Sequence, residues 1–276
     1  MADAPSSPSL PSLELPGLHC VEGRFQGRRG QQLQYCGVFP PSTRPRAVVL
    51  FLHGIGEHAR RFSHVFAHLA TRGLAVIAYD LVAHGRSDCA VAGVRAHADR
   101  FQYVVDDTNA FLSLAKLGLF PQLSTGPGGD PFPPLVVMGI SFGALVGLHT
   151  VLSGRHKVAA AVLASPAVAV DLTLVLRLQL LLSAPLERLA PTAKLVPGVN
   201  FAALTRDAAF LADYLGDPLN GSADEVTSVP QLEKFFQALA TTDKTYRNFE
   251  GLFHCIFNEP EKQQVLDAVT DWLEPR

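Results

Sequence analysis

The apolar residues of this chain fall into short, dense runs divided by polar turns. Ala47–Leu52, Leu74–Tyr79 and Leu135–Met138 contain no charged residue. They are too short for helices and are bounded by Gly, Asp or Pro, which predicts strands buried on both faces. Two earlier strand patterns lie around His19–Phe25 and Gln32–Phe39, and the Gly and Arg residues between them predict a hairpin. Helical spacing covers Phe62–Arg72, stopped by Gly73 as a C-terminal cap, and Phe101–Leu117. The loop Pro121–Pro134 is dense in Pro and Gly and belongs on the surface. Further strands are expected at Val158–Ala164 and Thr245–Phe249, and a last helix opens near Asn258–Lys262. Strands alternating with helices give an α/β class with a mostly parallel sheet and right-handed crossovers. Ligands of such sheets bind beyond the carboxyl ends of the strands. His53, Asp80, Ser141 and Ser165 all stand at those ends.

Residues 166–216 break this rhythm. They are rich in Leu and Ala, helical in spacing, and interrupted by Pro185, Pro191 and Pro197. The stretch reads as a helical insertion, either a packed subdomain or a cap laid over the strand ends, and it can be both. Residues 1–18 are expected to form a flexible tail and 19–276 the domain. Met1–Pro16 carries Pro and Ser but neither a basic region nor an apolar stretch, so it is not read as a secretory signal. No uncharged run reaches the roughly 18 residues of a membrane span. Leu172–Leu186, the nearest, is broken by Arg177 and leaves room only for peripheral membrane contact through the cap.

Composition narrows the function classes. The net charge is −2, charged residues make up 17%, and Lys and Arg form no block, which argues against a nucleic-acid partner. Cys20, Cys36, Cys89 and Cys255 show no C-x-x-C pairing and no metal-ligand spacing. They read as free thiols in a reducing compartment, which places the protein in the cytoplasm. No cofactor and no metal is expected.

The chemistry concentrates in Gly139-Ile140-Ser141-Phe142-Gly143, directly after the Leu135–Met138 run. A strand that turns at once into a helix forces the middle residue into a strained backbone and projects its side chain. Glycines on either side are needed because a Cβ there would collide. Ser141 is therefore the candidate nucleophile. Such a serine needs a base, and the base needs an orienting carboxylate.

Downstream stand Gly221-Ser222-Ala223-Asp224-Glu225-Val226 and Phe249-Glu250-Gly251-Leu252-Phe253-His254. Upstream stand His53-Gly54-Ile55-Gly56-Glu57-His58 and Tyr79-Asp80-Leu81-Val82-Ala83-His84-Gly85-Arg86-Ser87, and Ala164-Ser165-Pro166 follows the serine helix. With these pieces in this order, the chain resembles the serine α/β-hydrolases of the monoacylglycerol lipase and lysophospholipase type. The resemblance implies an α/β-hydrolase fold and hydrolysis of small acyl esters, with Ser141, His254 and Asp224 as nucleophile, base and acid. It implies an oxyanion hole from the backbone N–H groups of Ile55 and Phe142, and a polar head held near Glu57 and Arg61. Asp171, a few residues beyond the Val158–Ala164 strand, is the rival for the acid. His53 and His84 are expected to bond backbone, Asp80 to anchor the turn after it, and His58, His64, His68, His97 and His156 to lie on the surface or on helix faces.

Three departures from the family pattern stand out. Ile140 and Phe142 occupy the serine turn where relatives usually place a polar or aromatic residue and a methionine. Ala83 replaces a glycine. Most seriously, no apolar run precedes Asp224, because the chain passes from Asp217-Pro218-Leu219 almost directly into Gly221. One core strand of the fold is therefore expected to be missing, as though an internal segment were removed. The expected function is a serine carboxylic-ester hydrolase, and the alternative is a catalytically impaired fold that binds acyl lipids or a protein partner.

Overall fold

The computed structural model describes residues 12–41, 44–123, 132–168, 204–217, 219 and 229–274. Six strands form one sheet: β1 (His19–Gln26), β2 (Gln32–Phe39), β3 (Ala47–Leu52), β4 (Leu74–Tyr79), β5 (Leu135–Ile140) and β6 (Ala160–Ala164). Their spatial order is β1-β2-β4-β3-β5-β6. The hairpin β1–β2 joins β4 antiparallel, and β4, β3, β5 and β6 then run parallel. All residues of β3, β4 and β5 are buried, because helices cover both faces of the sheet.

Alternation along the strands divides the apolar residues between the two faces. Val49, Phe51, Val76, Ala78 and Met138 pack with α1 (Ser63–Thr71) and α6 (Lys262–Leu273) through Phe66, Leu69, Leu266 and Leu273. Val48, Leu50, Leu52, Ile77, Tyr79 and Val137 pack with α2 (Phe101–Leu114) and α3 (Phe142–Leu152) through Phe111, Leu112 and Val146. Phe51 meets Phe62 and Phe66 at centroid separations of 4.8 and 5.2 Å, which fixes α1 against the middle of the sheet. Two further helices, α4 (Ala208–Gly216) and α5 (Val229–Ala238), follow the sheet in sequence.

Several elements differ from expectation. The helix from Phe101 keeps α geometry only to Leu114 and continues as a π turn over Ala115–Leu119, where Gly118 takes φ 105°. Strand β6 begins at Ala160, not Val158. Thr245–Phe249 carries no strand pairing, so β6 is the end of the sheet among the described residues. The segment has Arg247 and Asn248 among its polar positions, and the side chain of Lys244, just before it, turns back to the carbonyls of Phe236 and Leu239. The tail is shorter than expected. Leu13 is buried at 7% exposure, Leu15 and Leu18 pack on the same cluster, and the Leu13 N–H donates to Glu22 at 2.8 Å. Of the expected 166–216 cap, residues 169–203 lie outside the described residues.

Asp80, at the end of β4, anchors the loops above the sheet. Its carboxylate accepts the N–H groups of Ala59 and Arg86, each at 2.8 Å, and its carbonyl accepts the Ser87 hydroxyl. An apolar side chain here would leave two buried donors unmet at about 1–3 kcal/mol each. Asp80→Ala should therefore lower unfolding free energy by about 3 kcal/mol, read as a shift in urea midpoint at constant slope.

Candidate active site

The serine turn is built by close approach. Ser141 holds φ 52° and ψ −120°, a positive φ that only strong surrounding packing keeps in place for a non-glycine residue. A Cβ on Gly139 would stand 2.7 Å from the Ala144 nitrogen, and one on Gly143 would overlap the carbonyl oxygens of Leu52 and His53. The helix α3 can thus start only if both positions lack side chains. The Ser141 N–H donates to the Ala164 carbonyl at 3.0 Å, and the Ser141 carbonyl accepts from Ala167 at 3.1 Å. These bonds tie Ser141 to the end of β6 and the turn after it.

Ser165, one residue further, takes φ 39°, and its hydroxyl donates to the His254 carbonyl at 3.0 Å. Ser141 and His254 are therefore anchored to adjacent residues, Ala164 and Ser165. His254 is 9% exposed, and burial holds its imidazole down to about 4. Its Nδ1 is buried and meets no hydrogen-bond partner among the described residues. That nitrogen is where a triad carboxylate bonds. Asp224 and the rival Asp171 both lie outside the described residues.

The turn after β3 supplies the opposite wall. Gly54 lies beside Ser141, its absent Cβ projecting to 3.7 Å from the Ser141 Cβ. Its N–H donates to Glu57 Oε2 at 3.0 Å. The Ile55 and Phe142 N–H groups have no acceptor among the described residues. Phe142 opens α3, so its N–H also sits at the positive end of the helix. Glu57 is 5% exposed, and burial pushes its carboxyl up to about 7 against the pull of Arg61. Its Oε1 has no partner among the described residues.

Arg61 is turned away to carboxylates instead. It ion-pairs with Asp217 and, at 2.7 Å, with Asp213, and its guanidinium lies 5.2 Å from the Tyr214 ring centre. A polar cavity of about 340 Å³ adjoins it, lined in part by His58, Arg60, His64, Asp213 and Lys262. Among the described residues, no group of three or more His, Cys, Asp or Glu converges as metal ligands would.

A family model described as serine aminopeptidase, S33 hydrolase matches residues 43–221. The chain belongs to this S33 hydrolase family. The match takes in Ile55, Glu57, Arg61, Ser141 and Phe142 and stops short of Asp224 and His254. A monoacylglycerol lipase of Mycolicibacterium smegmatis is 28% identical over 293 residues, covering 91% of this chain and 96% of that protein. A monoglyceride lipase homolog of Monkeypox virus is 30% identical, covering 87% and 93%. In shape the chain is similar to a soluble variant of monoglyceride lipase from Saccharomyces cerevisiae, with TM-score 0.76, 18% identity and 99% of both chains covered. The α/β-hydrolase fold expected from the sequence is thereby shown.

Around this S33 site His53 and His84 bond the backbone. His53 Nδ1 bonds the Gly54 carbonyl at 2.7 Å while Nε2 accepts the Leu81 N–H at 3.0 Å, which fixes a neutral tautomer. His84 Nδ1 bonds the Val82 carbonyl at 2.8 Å. His58 is not the surface residue the sequence suggested: it is 7% exposed and bonds Asp217 at 2.9 Å. His64 likewise turns inward, to the Phe257 carbonyl at 2.7 Å. Sequence reading also missed Arg206 and Glu259, which bond across 53 residues. No spacing rule links positions so far apart.

Burial holds His53 and His84 each down to about 3 and His254 to about 4, whereas Glu57 is raised to about 7. Below the unfolded histidine value of 6.5, the unfolded chain binds protons at His53, His84 and His254 that the native chain refuses, and burial lowers His64, His68 and His156 in the same direction. Protonated Glu57 offsets one of them. Stability is thus fully present above pH 6.5 and falls with acid by about 1.4 kcal/mol per pH unit for each net proton. Urea unfolding between pH 7.5 and 5 should show this decline, and His84→Gln should make it shallower. A stability independent of pH in that window would contradict the burial of neutral imidazoles.

Proposed function

We propose that the chain is a serine ester hydrolase that cleaves the acyl ester of a monoacylglycerol or lysophospholipid through an acyl-enzyme intermediate. The observation that carries this reading is the strained Ser141, held at φ 52° between two glycines that admit no Cβ. A backbone conformation this costly is retained where a hydroxyl must project from the strand-to-helix turn. The relatives named as monoacylglycerol and monoglyceride lipases favour a lipid ester over a peptide.

In this reading, the Ser141 hydroxyl passes its proton to His254 as its oxygen attacks the ester carbonyl. The oxyanion is met by the Ile55 and Phe142 N–H groups, and loss of one such donor costs about a hundred- to a thousandfold in rate. Collapse of the tetrahedral intermediate expels the alcohol, which takes the proton from His254. Water, deprotonated by His254, then releases the fatty acid. Neutral His254 is ready to accept a proton, and Asp224 bonded to its Nδ1 would raise its basicity. Glu57, with one oxygen unengaged, is the group suited to a hydroxyl of the head. In this reading residues 166–216 would serve as a cap whose apolar surface receives the acyl chain and touches membrane peripherally. The chemistry needs neither metal nor cofactor.

One observation favours a second reading, an impaired hydrolase fold that binds acyl lipid. The alignment of 293 residues with the mycobacterial lipase takes in 91% of this 276-residue chain, which supports a stretch in the relative that has no counterpart here.

Steady-state hydrolysis of a long-chain monoacylglycerol, run beside Ser141→Ala, separates the two. Turnover that vanishes in Ser141→Ala supports the enzyme, whereas full activity in the variant sinks the mechanism. Asp224→Asn should then cut the rate by about 10⁴-fold, as loss of the correct histidine tautomer does in other triads. Should Asp171→Asn be the damaging change instead, the acid is Asp171. A folded wild-type chain that binds lipid but takes no fluorophosphonate at Ser141 would favour the binder.

A further inference from the structure

The histidine loop has an anchor that no triad residue supplies. Glu259 is fully buried, and both of its oxygens are taken by Arg206: the Arg206 N–H donates to Oε1 at 2.9 Å and Nε to Oε2 at 2.8 Å. A second rung lies beside it, where the Cys255 N–H donates to the Leu204 carbonyl at 2.8 Å. Leu204–Arg206 and Cys255–Glu259 are thereby strapped together immediately after His254. Leu204, Tyr214 and Cys255 close a small apolar cluster under the strap.

The same segment starts a helix. Asp207 caps α4, its carboxylate accepting the N–H groups of Ala209 and Phe210 at 3.0 Å each. At the other end of α4, Asp213 and Asp217 hold Arg61, and Asp217 also holds His58. His58 and Arg61 belong to the turn that carries Ile55 and Glu57. Helix α4 therefore reaches from the loop of His254 to the turn that faces Ser141, and charged bonds fix both of its ends.

We propose that α4 is a strut that sets the distance between His254 and the Ile55 turn, with Arg206 and Glu259 as positioning residues at its histidine end. The inference rests on the reading of Ser141 and His254 as nucleophile and base. Its physical reason is that the backbone at His254 and just after it is tied to other elements, which sets where the ring starts. That backbone is held by Ser165 on one side and by the strap on the other.

Glu259→Gln tests it, because the amide NH₂ would face the Arg206 N–H donors and one rung would become repulsive. Amide exchange followed by NMR should be about tenfold faster at Cys255, with β3 amides unchanged. The rate constant for labelling by a fluorophosphonate should fall about tenfold, the scale set by sub-ångström misplacement. The labelled fraction at completion should stay at the wild-type level, since partial unfolding lowers that fraction rather than the rate constant. Arg206→Lys keeps the backbone rung and should show both effects more weakly; it also serves where Glu259→Gln does not fold. Unchanged exchange at Cys255 would overturn the strap, and faster exchange with an unchanged rate constant would overturn its positioning role. If wild-type protein takes no label, the hydrolase reading fails separately. The Cys255 exchange rate then decides alone whether the strap holds the loop.

Discussion

The upper end of this molecule depends on one steric constraint: α3 starts where only a hydrogen fits between Gly143 and the carbonyl oxygens that end β3. Because the helix passes so close, β5 turns without any intervening loop and Ser141 is forced to positive φ. The same closeness lets the Ser141 backbone bond the ends of β6 through Ala164 and Ala167. Ser165 then carries the order across to His254. A chain of short contacts thus converts a packing requirement at one glycine into the placement of two reactive side chains.

Dryness is the second shared property of the site. His53, His84 and His254 are all held neutral by burial, and Glu57 is pushed up to about 7 by the same cause. Arg61 bonds Asp213 and Asp217. Among the described residues Ser141 therefore faces few fixed charges, and in the proposed reaction backbone N–H groups are the donors for a developing oxyanion. Fixed dipoles in a water-excluded site stabilise such charge without reorganising.

The parts of the fold legible in the sequence are those whose burial leaves a local trace. Strands β2, β3 and β4 were readable to the residue because each lies inside the sheet and every side chain of β3 and β4 is buried. The Gly-x-Ser-x-Gly turn was readable because sterics dictate its residues. Legibility faded at the sheet margin, where Val158 and Thr245–Phe249 have strand-like composition but no pairing partner to make them strands. It failed for His58, Arg206 and Glu259, whose roles arise from contacts over more than fifty positions and leave no periodic mark. Asp224 was proposed from its motif, and its placement lies outside the described residues.

The two ends of the chain share one apolar cluster. Leu13, Leu15 and Leu18 pack on the face of the sheet that also receives Leu273 and Trp272 of α6, and Arg46 bonds the Leu273 carbonyl across the seam. Leu13, Leu15 and Leu18 are thus part of the wall over the sheet. A fragment starting at His19 would uncover apolar surface beneath α6, so a boundary drawn at the first strand cuts through the domain it is meant to enclose.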